Sequence, residues 1–409
     1  MNELKTKYAN IILNSCLKLK ANQPLFISAN SLVSDFVRIV AEEAYKIGVK
    51  EIYFDITDPY LKHDALKNLS QSQLQNMQYW HKEKWNEYAK KGAAFLMLAS
   101  EMPGLMRDIP VTKINEMTTY SLKTRSEFDD LRNQSKVPWC IAAVPTLEWA
   151  KLIFPQSPNP LNDLWNKIFE ICLINKPNPV KLWDLKIEKL NNRCQKLNNY
   201  QFKKIHYQNS LGTDFYISLP KNHLWASGRE LLQNGKSILV NFPTEEVFTS
   251  PTANSAEGIV YSSKPLAYQD NIIDEFWFQF KEGKVISYGA KVGEENLKEL
   301  LNSCPNINRL GEIALVENDS PISNSQLIFY ETLFDENASC HLALGDSFSE
   351  CLAGGLKMTK EELAQNNLNS CLNHVDFMIG TNDLKITGIT NDNQKIIIFN
   401  NGNFTEEFK

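Results

Sequence analysis

The chain has 409 residues, 43% of them hydrophobic and 11% aromatic, with a formal charge of −5. This supplies sizeable cores for two or three domains and excludes a disordered chain. The mildly acidic balance argues against a nucleic-acid binder, which carries a basic footprint. No stretch nears 18 consecutive apolar residues, so no membrane span is expected.

The first half alternates helix and strand patterns. Asn2 to Lys20 sets Leu4, Tyr8, Ile11, Ile12 and Leu19 at helical spacing. Leu25 to Ser28 is a short apolar strand. Ser31 to Ile47 predicts a helix with Val33, Phe36, Val37, Val40, Ala41 and Ala44 on one face and Gly48 as its stop. Further strands are expected at Glu51–Asp55, Ala94–Leu98 and Trp139–Val144. Continuous apolar runs between helices predict a doubly wound α/β domain with a mostly parallel sheet buried on both faces.

Pro155, Pro158, Pro160, Pro177 and Pro179 then break the pattern. A boundary is expected near residue 180, giving an α/β domain over 1–180 and an α+β domain over 181–409. In the second, Thr213–Leu219 and Glu275–Phe280 alternate, and Leu384–Gly388 with Ile396–Phe399 predicts a hairpin across Asn391–Asn393. This domain should hold a largely antiparallel sheet.

Eight cysteines are spread along the chain without a C-x-x-C pair, which excludes a zinc ribbon or thioredoxin motif. The residues after Met1 mix polar and apolar types, unlike a secretion signal. Reduced, mostly buried thiols in a cytoplasmic protein are expected. The phosphate loop G-x-x-x-x-G-K-[ST], the dinucleotide fingerprint G-x-G-x-x-G, the zinc-protease H-E-x-x-H and the G-x-S-x-G elbow are all missing.

What remains is a set of carboxylates and imidazoles in apolar settings. His374 and Asp376 are two apart in a strand pattern, so they project from one face and can reach one metal. Glu336 and His341 are five apart and converge only if Asp335 to Ser339 forms a turn leading into a strand. Glu245 and Glu246 follow Pro243, and Glu312 heads an apolar strand. Each has an ordinary alternative: a helix start for the Glu pair, an edge position or Lys/Arg partner for Glu312, a polar turn for Glu336. Together, four carboxylates, counting one of the Glu pair, and two imidazoles suit a pair of zinc, cobalt or manganese ions.

These stretches carry a resemblance. Asn241–Thr249, Leu310–Glu312, Thr332–Ser339, His341–Gly345 and His374–Gly380 are similar to the aminopeptidase T/aminopeptidase S family of metallo-aminopeptidases. Met102–Met106 and Val144–Ala150 match it more loosely, so the resemblance spans essentially the whole chain. It implies removal of N-terminal residues from peptides through a two-metal-activated water, a C-terminal metal site and a homodimer. The ions would be two divalent metals per chain, zinc, cobalt, manganese or magnesium. The implied ligands are Glu246, Glu312, Glu336, His341, His374 and Asp376, with Glu312 as the bridge.

Glu245 is assigned as general base by analogy with unrelated two-metal aminopeptidases, in which one of two adjacent Glu residues binds metal and the other moves the proton. One position departs from the family. Seven residues after His341 the family carries a tyrosine that takes part in catalysis, and Phe348 stands there. The alternative reading is a family member that binds metal and peptides with little or no catalysis.

Overall fold

A computed structural model of the chain describes residues 1–77 and 79–409. The described residues form two compact units, Met1–Leu185 with Arg229–Thr244, and Lys186–Gly228 with Glu245–Lys409. Where the sequence suggested a single cut near residue 180, the segment Arg229–Thr244 returns to the first unit.

The first unit is built on a parallel sheet. Strands β1 (Leu25–Asn30), β2 (Ile52–Thr57), β3 (Ala94–Ala99) and β4 (Trp139–Ala143) lie in the order β2-β1-β3-β4, with Asn241–Phe242 added in parallel beside β4. Most of β1 and β3 is buried, as expected for their unbroken apolar sequences, whereas the edge strand β2 is half-exposed. The helix Ser34–Ile47 buries Phe36, Val37, Val40, Ala41 and Ala44 and ends at Gly48, whose φ of +98° a side chain would resist. The first helix is shorter than its pattern: α-helix runs from Asn2 to Ile11 and gives way to a π-helical turn, Ile12–Cys16.

The second unit holds antiparallel sheets. The larger joins Asp214–Ser218 and Asn271–Lys281, the two alternating stretches, through Glu257–Tyr261. It also contains the hairpin Lys385–Ile389 with Lys395–Asn400. The smaller sheet contains β5 (Val247–Thr249), β6 (Leu310–Leu315), β7 (His341–Gly345) and β8 (His374–Met378), ordered β8-β7-β6-β5, with Ala226–Ser227 outside β5. Every residue of β6 and β7 is buried. Among the described residues, no helix is long and apolar enough to cross a membrane.

Two glycines set the spacing of this sheet. A Cβ on Gly311 would lie 2.0 Å from the Asp346 carbonyl oxygen, and one on Gly345, at φ +108°, would lie 2.0 Å from that of Asn373. The Asp346 carbonyl in turn stands 2.9 Å from His374 Nδ1. Gly311→Ala should therefore displace the group that orients His374. The expected cost is about 1–3 kcal/mol, typical of overpacking, read as a lower denaturant midpoint at unchanged m; an unmoved midpoint would contradict the close approach.

Candidate metal centre

Antiparallel register gathers the predicted side chains on one face of the smaller sheet. Glu312 pairs with Ala343, and Ala343 with Asp376; His341 pairs with Ala314, and Gly345 with His374. Paired residues share a face, as do residues two apart on one strand. Glu312, His341, His374 and Asp376 thus point the same way, and the intervening Ala343, Ala314 and Gly345 are small enough to let them meet. Phe248 pairs with Ala314 on this face. Glu246, two residues before Phe248, joins it.

The contacts are close. His341 Nε2 is 3.2 Å from Glu246 Oε2. His374 Nε2 is 3.0 Å from Glu312 Oε2 and 3.2 Å from Asp376 Oδ1. Two trios offer ligand atoms within 4.8 Å of one another: Glu246, Glu312 and His341, and Glu312, His374 and Asp376. Glu312 is common to both. Glu246, Glu312, His341 and Asp376 are buried and His374 is half-buried.

Glu336 reaches the same region by the turn its spacing required. Helix Thr332–Asp335 passes into a 3-10 turn, Glu336–Ala338, before β7 begins at His341. Buried Asp335 closes the preceding loop by accepting from the N–H groups of Phe329 (2.8 Å) and Glu331 (3.2 Å). Asn337 Nδ2 donates to the Leu333 carbonyl and, at 3.3 Å, to Glu336 Oε1, while its Oδ1 accepts from the Glu245 N–H at 2.6 Å. Asp335, Asn337 and Asp346 were not visible as positioning residues in the sequence. Their only mark is a polar side chain at the edge of a ligand motif.

The electrostatics show a cluster short of positive charge. Burial lifts Glu336 well above the usual carboxyl range, and Asp376, Glu246 and Glu312 push the same way. Burial also raises Glu312 to about 7, against the pull of His374. Burial opposes charge on His341, yet the hydrogen bond and charge of Glu246 outweigh it and hold the imidazole up at about 9. His374 is likewise pushed well up, burial being outweighed chiefly by Asp376. Burial works against ionised Asp376 too, but His374 prevails and holds that carboxyl down.

The donor set fits divalent cations. Even with both imidazoles protonated, four ionised carboxylates would leave two negative charges uncompensated in a buried site. Without a cation, the cluster must hold protons it would release on binding one. Each imidazole presents Nδ1 to a backbone carbonyl, His341 to Ser339 at 3.2 Å and His374 to Asp346 at 2.9 Å. The Nδ1–H donates there, which leaves Nε2, the atom facing the carboxylates, for a metal. Oxygen and imidazole donors without thiolate suit zinc, cobalt, manganese or magnesium.

Two expected residues lie differently. The Glu245 carboxylate pairs with Lys186, and burial raises its pKa against the opposing pull of that ammonium. It belongs to neither trio, and of the six expected ligands Glu336 also lies outside both. The Phe348 ring stands 4.9 Å from the His374 ring and 5.3 Å from that of Phe248, packed with Ala314 and Cys351. The Phe348 ring therefore stands beside the cluster.

Comparison with known proteins gives the family. The profile of the thermophilic metalloprotease (M29) family matches residues 1–404. Aminopeptidase AmpS of Bacillus subtilis is 35% identical over 97% of both chains. Aminopeptidase 2 of Geobacillus stearothermophilus is 35% identical over 98% of this chain and 97% of its own. Aminopeptidase T of Thermus aquaticus is 30% identical over 97% of both. The structure of wild-type AmpT from Thermus thermophilus superposes with a TM-score of 0.91 at 29% identity, covering 99% of each chain. A 2,5-dihydroxypyridine dioxygenase from Pseudomonas putida shares the fold alone, with a TM-score of 0.53 at 11% identity. The chain belongs to the thermophilic metalloprotease (M29) family, and its class is that of the metallo-aminopeptidases, hydrolases that act as exopeptidases.

Proposed function

We propose that the chain removes N-terminal residues from peptides at a two-metal site held by Glu246, Glu312, Glu336, His341, His374 and Asp376. The observation that carries this reading is the pair of ligand trios sharing Glu312, which supports Glu312 as the residue that would hold both ions. A bound pair of divalent ions supplies polarisation of the peptide carbonyl and a water of lowered pKa. The chain's own groups do the rest. Asp346 and Ser339 hold the imidazoles by their carbonyls, and Asn337 steadies Glu336. A substrate's free α-ammonium finds compensating charge among carboxylates, which sets the exopeptidase register. The same reading includes a homodimer and a cytoplasmic setting; free thiols suit a reducing compartment.

Elemental analysis of the purified protein should find about two metals per chain. Leucine-4-nitroanilide hydrolysis should vanish on chelation and return with zinc or cobalt. His374→Ala and Asp376→Ala should each lower metal content, and unchanged stoichiometry removes that residue from the site. No metal under any loading condition overturns the assignment.

Glu245 is the proposed general base. Its proton affinity, raised by burial, moves towards the operating pH. The Lys186 ion pair favours a second reading, in which Glu245 anchors that lysine. As a base, Glu245→Gln keeps metal content and thermal midpoint while turnover falls roughly tenfold or more. As an anchor, it lowers the midpoint and leaves turnover per folded molecule nearly unchanged.

Phe348 supports the alternative of a metal- and peptide-binding protein with little turnover. Losing one donor to a developing oxyanion costs on the order of 10²–10³ in rate. Phe348→Tyr should raise kcat with metal content unchanged if that donor is the missing part. An active parent enzyme whose kcat does not respond would show that another group supplies it. Two bound metals with no turnover on a panel of aminoacyl substrates favour the binding protein.

A further inference from the structure

Two of the eight cysteines differ from the rest. Cys16, Cys140, Cys172, Cys194, Cys340 and Cys351 are buried, whereas Cys304 and Cys371 are half-buried; all eight are free thiols. Though 67 positions apart in sequence, the sulfurs of Cys304 and Cys371 are 2.8 Å from each other. A covalent S–S bond is ~2.04 Å long, so closure needs a sulfur displacement of only ~0.8 Å.

The segments carrying them are already tied together. Asn306 Nδ2 donates to the Ser370 carbonyl at 3.2 Å, Asn369 Nδ2 to the Asn306 carbonyl at 3.0 Å, and Asn373 Nδ2 to Ser303 Oγ at 3.2 Å. The later segment also leads into the metal centre. The Cys371 N–H donates to Asp346 Oδ1 at 3.0 Å, and the Asp346 N–H to the Asn373 carbonyl at 2.9 Å. The carbonyl of that same Asp346 accepts from His374.

We propose that Cys304 and Cys371 are a redox modification site, a dithiol that a small disulfide of the glutathione type converts to an intrachain disulfide. The bond fastens the segment before His374 to the segment before β6, which carries Glu312.

The chemistry balances as two exchanges. The Cys304 thiolate attacks one sulfur of the oxidant, the oxidant's S–S bond breaks, and one small thiolate leaves. The Cys371 thiolate then attacks Cys304 Sγ in the mixed disulfide and expels the second. The two protein thiols give up two electrons and two protons, and the oxidant ends as two thiols. Cys304 suits the first attack. Its hydrogen bond with Cys371 lowers its pKa to about 6, the N–H groups of Asn373 and Leu372 helping against burial. The pair stands on its own geometry, independent of any turnover.

Native full-length protein is incubated with oxidised glutathione, quenched, denatured, and examined by thiol titration and intact mass. The expected result is loss of two titratable thiols, a mass lower by two hydrogens and one cross-linked peptide joining Cys304 to Cys371. The thermal midpoint should rise by several degrees and return on reduction. C371S should stop at a glutathione adduct on Cys304, and C304S should form no cross-link. Survival of all eight thiols, adducts without a cross-link in the unmodified sequence, or a cross-link through other cysteines would overturn the proposal. A cross-link that leaves the midpoint unmoved would overturn the fastening.

Discussion

The second unit is organised around buried negative charge. Three carboxyls, Glu246, Glu312 and Asp376, meet two imidazoles within ligand distance, with buried Glu336 adding its charge beside them, and most of these groups are out of reach of water. In a low-dielectric interior such a group must gain protons or cations. Proton uptake is favoured at Glu336 and Glu312 by burial, and at both imidazoles by the neighbouring carboxylates against burial. Divalent metal is the other solution, and binding it exchanges those protons for ions. The site is thus built to be costly when empty of cations, and the surrounding fold supplies the stability that keeps it assembled.

That support comes from ordinary sheet physics. Fully buried β6 and β7 hold the register, and register decides which side chains meet. A shift of one residue would send His341 to the opposite face. Alanine and glycine between the ligands give them room, and the missing Cβ of Gly311 lets the Asp346 carbonyl approach. The hydrogen bonds to Nδ1 of each imidazole fix which nitrogen faces the carboxylates. Each imidazole is oriented by backbone, which moves less than a side-chain partner would.

Much of this was legible in the sequence. The parallel sheet followed from unbroken apolar runs, and the shared face of His374 and Asp376 from strand alternation alone. The turn that carries Glu336 towards the cluster was legible only as a condition, because a turn's geometry is not encoded in spacing. The return of Arg229–Thr244 to the first unit was not legible, since its strand Asn241–Phe242 is two residues long and pairs with β4, about 100 positions away. Nor could alternation separate Glu245 from Glu246 without knowing that Phe248 pairs with Ala314. Once it does, Glu246 turns to the cluster and Glu245 to Lys186. The supporting roles of Asp346 and Asn337 stayed hidden because they act through a backbone carbonyl and a side-chain amide, which leave no pattern in residue type.

Phe348 and the ligand set separate two properties that a metallopeptidase normally joins. A phenylalanine there keeps the aromatic body that packs between Phe248 and His374 and gives up only a hydroxyl. That exchange costs the fold little. Buried carboxylates are the opposite case, since replacing an uncompensated buried charge by an apolar residue of similar volume commonly stabilises a protein. A chain with no use for metal would gain stability by losing Glu336 first, a carboxyl driven towards its neutral form by burial and then by its acidic neighbours. Its presence, with all five of its expected partners, argues that cation binding is under a demand that outweighs its cost. In the proposed site, metal affinity and catalytic rate would therefore rest on different residues, and a change in one need not follow the other.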